Sequence, residues 1–336
     1  MLVGHRTWIF ENKPFILSTG TVGGSFEAEG LLADDFDLLH SDLWLQQKTF
    51  EKAHRVLLEE ANQKAIEKAG LQKEHIQFFL GGDLINQITP TSFALRTLGT
   101  PYFGLFGACS TSMEGLALGA YLVNTGGAKY VLTGASSHHS AVEKQFRYPT
   151  DYGAQKPPTS QWTVTGAGVA LLGKEGTGPR VTSATIGRVV DMGMTDPMNM
   201  GGAMAPAAVD TIEAHLKERN VDASYYDLIV TGDLGQIGRD IALRLFQKHS
   251  TSITQEQFQD CGMMLYKEEQ KVMAGASGAG CSATVVYGHL LNRMKKGEIK
   301  RMLVAATGAL LSPLSFQQNE TIPCIAHAVS IEMDHE

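Results

Sequence analysis

Cys109 sits where a thiol has the most chemistry open to it. It falls between a strand-like run, Tyr102 to Phe106, and a segment in which Met113, Leu116, Ala117 and Ala120 recur at helical spacing. A thiol at the start of a helix meets free backbone N–H groups and the positive end of the helix dipole. Both favour a thiolate and both attract an anion. Ser110 is the expected N-cap of that helix. Cys109 is therefore a candidate nucleophile or ligand contact, weighed against the ordinary fate of a free cysteine as a small buried apolar residue. Cys281 begins a similar apolar helix later in the chain, and the two cannot both be the nucleophile. Cys261 and Cys324 complete the set, with no CxxC spacing, which suits reduced thiols better than disulfides or a zinc site. The adjacent pair His138-His139 reads as one buried and one exposed side chain, since neighbouring side chains seldom converge on one metal.

The elements that must position these residues are written twice. Gln77 to Leu84 (QFFLGGDL) and Asp227 to Leu234 (DLIVTGDL) are both apolar strands closing on Gly-Asp-Leu, which pairs Asp83 with Asp233. Each is followed by a helical segment containing Ala-Leu-Arg, at 94–96 and 242–244. Gly107-Ala108-Cys109-Ser110 then answers Ala279-Gly280-Cys281-Ser282, and KYVLTGAS at Lys129 to Ser136 answers KRMLVAATGA at Lys300 to Ala309. Four matches in the same order do not arise by chance. A helix over Phe50, Ala53, Leu57, Ala61 and Ala65 precedes the first strand and ends at Gly70; Ala208, Thr211, Ile212, His215 and Leu216 mark its counterpart. Short, continuously apolar strands between amphipathic helices define a layered α/β fold of two halves, 1–174 and 175–336. Two insertions break the symmetry. Ser136 to Thr165 is polar and aromatic, while the Met-rich Asp191 to Pro206 is expected in the core or at a dimer contact. His327, in the last apolar run, reads as a core histidine.

Composition removes several classes of function. A net charge of -7 with no block of basic residues argues against nucleic acid as a partner. No apolar run approaches the roughly 18 residues that span a bilayer, and no signal-like segment opens the chain, so a cytoplasmic protein is expected.

With the duplicated pattern and GACSTSMEG (Gly107 to Gly115) in view, the chain resembles the thiolase-fold condensing enzymes, whose nucleophilic cysteine starts the central helix of the first half. VTGAGVALL (Val164 to Leu172) is similar to the strand that closes that half. The resemblance covers nearly the whole chain and implies a duplicated five-layered αβαβα fold that dimerises through its first half. It also exposes two departures. Where the ketoacyl synthases carry a histidine, the chain reads TGDLGQIGRD (Thr231 to Asp240); where they carry an asparagine, it reads GASGAGCSA (Gly275 to Ala283). Acyl transfer needs a base for the thiol and donors for the developing oxyanion, and both partners are missing. No catalytic residue, cofactor or metal is expected. The rival reading is an active acyl-CoA condensing enzyme or acyltransferase built on Cys109.

Within that fold the chain resembles a sporulation family of endospore-forming bacteria, on strings such as FGACSTSME (Phe106 to Glu114), EKQFRYPT (Glu143 to Thr150), GAMAPAA (Gly202 to Ala208) and ATGALLSP (Ala306 to Pro313). The resemblance implies a non-catalytic protein that binds dipicolinic acid, pyridine-2,6-dicarboxylate. It would serve its uptake into the developing spore with membrane-bound partners of the same operon, at the spore inner membrane through those partners. A planar dianion wants cations, N–H donors and an apolar slot. Arg147 is a candidate to pair with one carboxylate, or equally to brace its own loop through a carboxylate such as Asp151, and His138 or His139 to donate to the other. The Cys109 helix start and the Asn86 amide offer further donors. Asp83 would repel the ligand, so it is expected to hold an Arg or His or to ligate a bridging calcium ion.

Overall fold

The structure is a computed structural model that describes residues 1–146 and 156–333. Two five-stranded units form its frame, and their strand orders are the same. The first contains β1 (Phe15–Gly23), β2 (Phe78–Gly82), β3 (Tyr102–Gly104), β4 (Tyr130–Ser137) and β5 (Gly166–Gly173), in the order β1-β5-β4-β2-β3. The second contains β6 (Arg180–Thr185), β7 (Leu228–Thr231), β8 (Phe258–Asp260), β9 (Arg301–Ala309) and β10 (Cys324–Glu332), in the order β6-β10-β9-β7-β8. In each unit the first two neighbouring pairs are antiparallel and the last two parallel. The units join edge to edge at the single pair Arg180 and Phe15. The repeat in the sequence is thus a repeat in topology.

Helices fill three layers. The outer layer over the first unit is α1 (Phe50–Lys68) with α2 (Thr89–Leu98). Ala53, Leu57, Ala61 and Ala65 of α1 are fully buried, the face set by their spacing, and Gly70 with φ 65° ends the helix as anticipated. Between the sheets runs α3 (Thr111–Asn124), which touches strands of both units. Beside it lies a rod over 279–295, α-helical at Ala279–Thr284 and Leu291–Lys295 with a π-helical stretch at Val285–Leu290. Hydroxyl contacts bind the two central helices: Ser112 to Ser282 at 2.7 Å, and Tyr287 to the Ser112 carbonyl at 3.1 Å. The far layer is a helix over Met200–Arg219 packed on one over Gly235–Lys248. Among the described residues no helix is long and apolar enough to cross a membrane.

The insertions do different work. The first continues from β4 into a helix, His139–Phe146, and returns as Trp162–Thr163, which pairs in parallel with Ala276–Ser277 of the second half. That pairing ties the first half's insertion to the second half's Gly-rich turn. In the second, Met204 is buried while Met192 is 69% exposed, so the Met-rich stretch is only partly core. His327 is buried on β10, as its apolar surroundings in the sequence required.

Candidate functional site

Cys109 lies on a single 3₁₀ turn, Ala108–Ser110, that enters the central helix. Ala108 there has φ 50°, a left-handed conformation costly to a residue with a Cβ. Ser110 holds the N-cap position, as expected, but its side chain does not cap: the hydroxyl turns back to the Gly107 carbonyl at 2.6 Å, within the 3₁₀ turn that precedes the helix.

Three segments of the second half converge on the thiol. Asp233, just past β7, is 1% exposed and lies close enough to the Cys109 thiol to act on it electrostatically. Its carboxylate accepts from the Thr307 hydroxyl of β9 at 2.8 Å and from the Gly278 N–H at 3.0 Å. Gly278 takes φ 105°, open only to glycine, and an added Cβ would meet the Ser137 hydroxyl at 2.8 Å. The Gln161 amide stitches this corner together by donating to the carbonyls of Asp233 and Ala276.

The electrostatics run against a thiolate. Burial pushes the Cys109 thiol well above its ordinary range, and the Asp233 carboxylate pushes it further. Asp233 is itself raised to about 7, chiefly by burial. Cys281 and Cys261 are buried and raised in the same way. Of the two helix-start cysteines, Cys109 alone borders the adjoining cavity; Cys281 is fully enclosed and donates to the Gly232 carbonyl.

That cavity has a volume of about 710 Å³. Its polar lining comes from Asn86, Gln145, Thr163, Ser277 and Ser312 besides Cys109 and Asp83. Leucines from 310–314, with Phe106 and Phe146, supply apolar walls. Among the described residues no Lys, Arg or His lines it.

The expected ligand residues separate on this geometry. Asp83, Asn86 and Cys109 border the cavity together. Asp83, however, holds neither an arginine, a histidine nor a cation. Its two oxygens accept from the Ile85 N–H at 2.7 Å, the Thr91 N–H at 2.9 Å and the Thr91 hydroxyl, so it fixes the start of α2. Burial outweighs these donors and raises its carboxyl to about 6. His138 is not at the cavity: it is fully buried, with Nε2 on the Leu43 carbonyl at 2.8 Å, and desolvation lowers it to about 4. His139 turns to a separate small pocket, stacked on Trp162 with ring centroids 3.8 Å apart. The strand β4 ends at Ser137 and a helix begins at His139, so the two neighbours sit in different local geometry and meet different surroundings. Arg147 lies outside the described residues. Gln145, Ser277 and Thr307 lie within strings that carry the resemblance and Thr163 within the first insertion, but nothing in the sequence marks any of them as a site residue; only the fold places them. Asp233 had a signal in its place in the repeat.

Solved structures with this architecture are thiolase-fold enzymes. The chain matches 3-oxoacyl-[acyl-carrier-protein] synthase III from Aquifex aeolicus VF5 with a TM-score of 0.61 at 15% identity, covering 95% of this chain and 99% of that one. It matches human mitochondrial 3-ketoacyl-CoA thiolase, solved in complex with CoA, with a TM-score of 0.61 at 12% identity, over 99% and 100% of the two chains. Cerulenin-bound OleA from Xanthomonas campestris gives 0.62 at 14% identity over 98% of each. The class is therefore the thiolase fold, with the duplicated five-layered arrangement described above.

The particular family is narrower. The profile for stage V sporulation protein AD matches residues 4–332. Stage V sporulation protein AD of Bacillus subtilis (strain 168) is 45% identical over 331 residues, 98% of either chain. The chain belongs to the stage V sporulation protein AD family, which places it in sporulation.

Proposed function

We propose that the chain binds dipicolinic acid in the cavity beside Cys109, without acyl transfer, and serves the uptake of that acid into the developing spore with membrane-bound partners. The observation that carries this reading is the placing of the buried Asp233 carboxylate against the Cys109 thiol. A nucleophilic thiol needs a partner that takes its proton, whereas burial and a neighbouring carboxylate disfavour the thiolate and keep the proton on sulfur. What remains is a concave, largely apolar space with a few polar groups, the usual make-up of a small-molecule site. Family membership in sporulation supports the choice of ligand class. Arg147 follows the cavity residue Phe146 in sequence and is proposed as the positive charge for one carboxylate; calcium is proposed as an optional companion of the ligand.

A homodimer is part of the proposal. The β3 edge ends its sheet, all three of its residues are exposed, and Phe103 and Phe93 beside it are 50% and 43% exposed. Bare sheet edges with apolar surroundings are covered in stable proteins. Sedimentation of the purified chain is expected to give two copies per particle.

The test of function is a calorimetric titration of the purified chain with dipicolinate, with and without Ca²⁺, beside turnover assays with acetyl-, malonyl- and longer acyl-CoA. Saturable binding with no steady turnover is expected. Steady turnover abolished by Cys109→Ala would establish the acyl-CoA enzyme instead.

A further inference from the structure

Asp233 stands one layer behind the cavity wall, and its surroundings decide which buried carboxyl of the site gives up its charge. Cys109, a wall residue, stands between it and the cavity and interacts with it electrostatically. Behind it lies a second buried carboxyl, Asp260, at the end of β8. Asp260 is the better held of the two. It accepts from the Thr231 hydroxyl and from the N–H groups of Leu234, Gly235 and Gly262, all within 3.0 Å, at the start of the helix over Gly235–Lys248. Two neighbouring buried carboxyls do not both stay ionised at low cost, and the one with more donors and a helix start keeps the charge. Among the described residues, the other groups on which the Asp233 charge acts are thiols: Cys109, Cys281 and Cys261 from the helix starts and the turn after β8, and Cys324 from β10. None of the groups that act on it most is a cation, and burial, the largest influence, raises it to about 7.

We propose that Asp233 makes ligand binding proton-coupled: an anionic ligand seated against Cys109 is taken up together with one solvent proton, which converts the Asp233 carboxylate to the acid. The inference rests on reading the cavity as a dicarboxylate site. The balance is simple: an ionised ligand, one proton from the buffer and the ionised protein give a complex one negative charge lower than addition alone. The thiol keeps its proton throughout. The arriving charge, close to Cys109 in a site of low dielectric, raises the Asp233 carboxyl further and so draws the proton in.

The test is calorimetry of the full chain with dipicolinate from pH 6 to 8.5, in buffers of low and high ionisation enthalpy. Proton uptake is expected to rise toward one per ligand above pH 7, and Kd to rise by up to about tenfold per pH unit there. Asp233→Asn should bind without uptake, with an affinity flat across the range and tighter than the parent's at pH 8. Thr307→Val removes a donor to the carboxylate without changing charge, so it should retain uptake with the onset moved to higher pH. Binding that is saturable yet independent of pH and buffer overturns the coupling and leaves the binding reading intact. No binding at any pH overturns both. Uptake unchanged in a folded Asp233→Asn overturns the assignment and moves it to Asp83, which borders the cavity and is raised to about 6.

Discussion

Asp83 and Asp233 leave equivalent strands on the same Gly-Asp-Leu turn, and the two halves use them for different ends. In the first half Asp83 spends both oxygens on Ile85 and Thr91 and caps α2. In the second half the capping of the equivalent helix passes to Asp260, which takes the Leu234 and Gly235 N–H groups. Asp233 is thereby released to face the Cys109 thiol of the other half. The cysteines divide in the same manner. Cys109 borders a cavity because the first half's insertion stands off from it, whereas Cys281 is closed over by the core. Duplication supplied two similar scaffolds, and one site was assembled from unlike uses of like positions.

Substitutions can break or sharpen this contrast. The largest effect is expected from a bulky residue at the enclosed cysteine. Cys281→Trp has no space to expand into and should abolish a cooperative thermal transition, while Cys109→Trp should fold, fill the cavity mouth and lose dipicolinate binding. Equal loss of binding at both positions, at matched thermal stability, would misplace the pocket. Next come the caps. Asp260→Ala strands four donors and should cost about 3 to 5 kcal/mol in chemical denaturation, against about 2 to 3 kcal/mol for Asp83→Ala. The reverse order would deny that the capping role moved. Arg147→Ala tests the insertion. Losing a charge-assisted pair is worth roughly 1.5 to 3 kcal/mol, about ten- to a hundredfold in dipicolinate affinity, with the thermal midpoint unchanged.

The smallest expected effect is on stability against pH. A carboxyl raised from 3.8 to about 7 binds more protons folded than unfolded across that interval, so its contribution falls as pH rises from about 4 to 7. Glu27, raised to about 7 mainly by burial, acts in the same window and direction. The buried His54, His138 and His327, lowered to about 4 by desolvation, act oppositely, losing stability as pH falls below 6.5. Asp233→Asn should therefore equal the parent near pH 4 and gain on it up to pH 7, by about 1 kcal/mol net of its weakened hydrogen bonds. Denaturant midpoints measured from pH 4 to 8 check the sign.

The repeated order of elements, the helix faces and the Cys109 helix start were legible in the order of the residues, whereas the strands Phe15–Gly23, Arg180–Thr185 and Phe258–Asp260 were not. Periodicity and repetition are local properties, and burial of an apolar face needs no knowledge of what covers it. The absence of a histidine and an asparagine at the two expected places was legible too. The insertion misled for a physical reason. His138 and His139 have the right chemistry for an anion, but the change from strand to helix after Ser137 leaves one in the core and the other on Trp162. The fate of the Gly-Asp-Leu aspartates was equally hidden. Each has the same neighbours in sequence, and only the arrival of Asp260 from β8, of Thr307 from β9 and of the glycine turn at Gly278 decides which caps a helix and which meets a thiol. A side chain's role here is set by which donors reach it first, and those donors come from segments far apart in the chain.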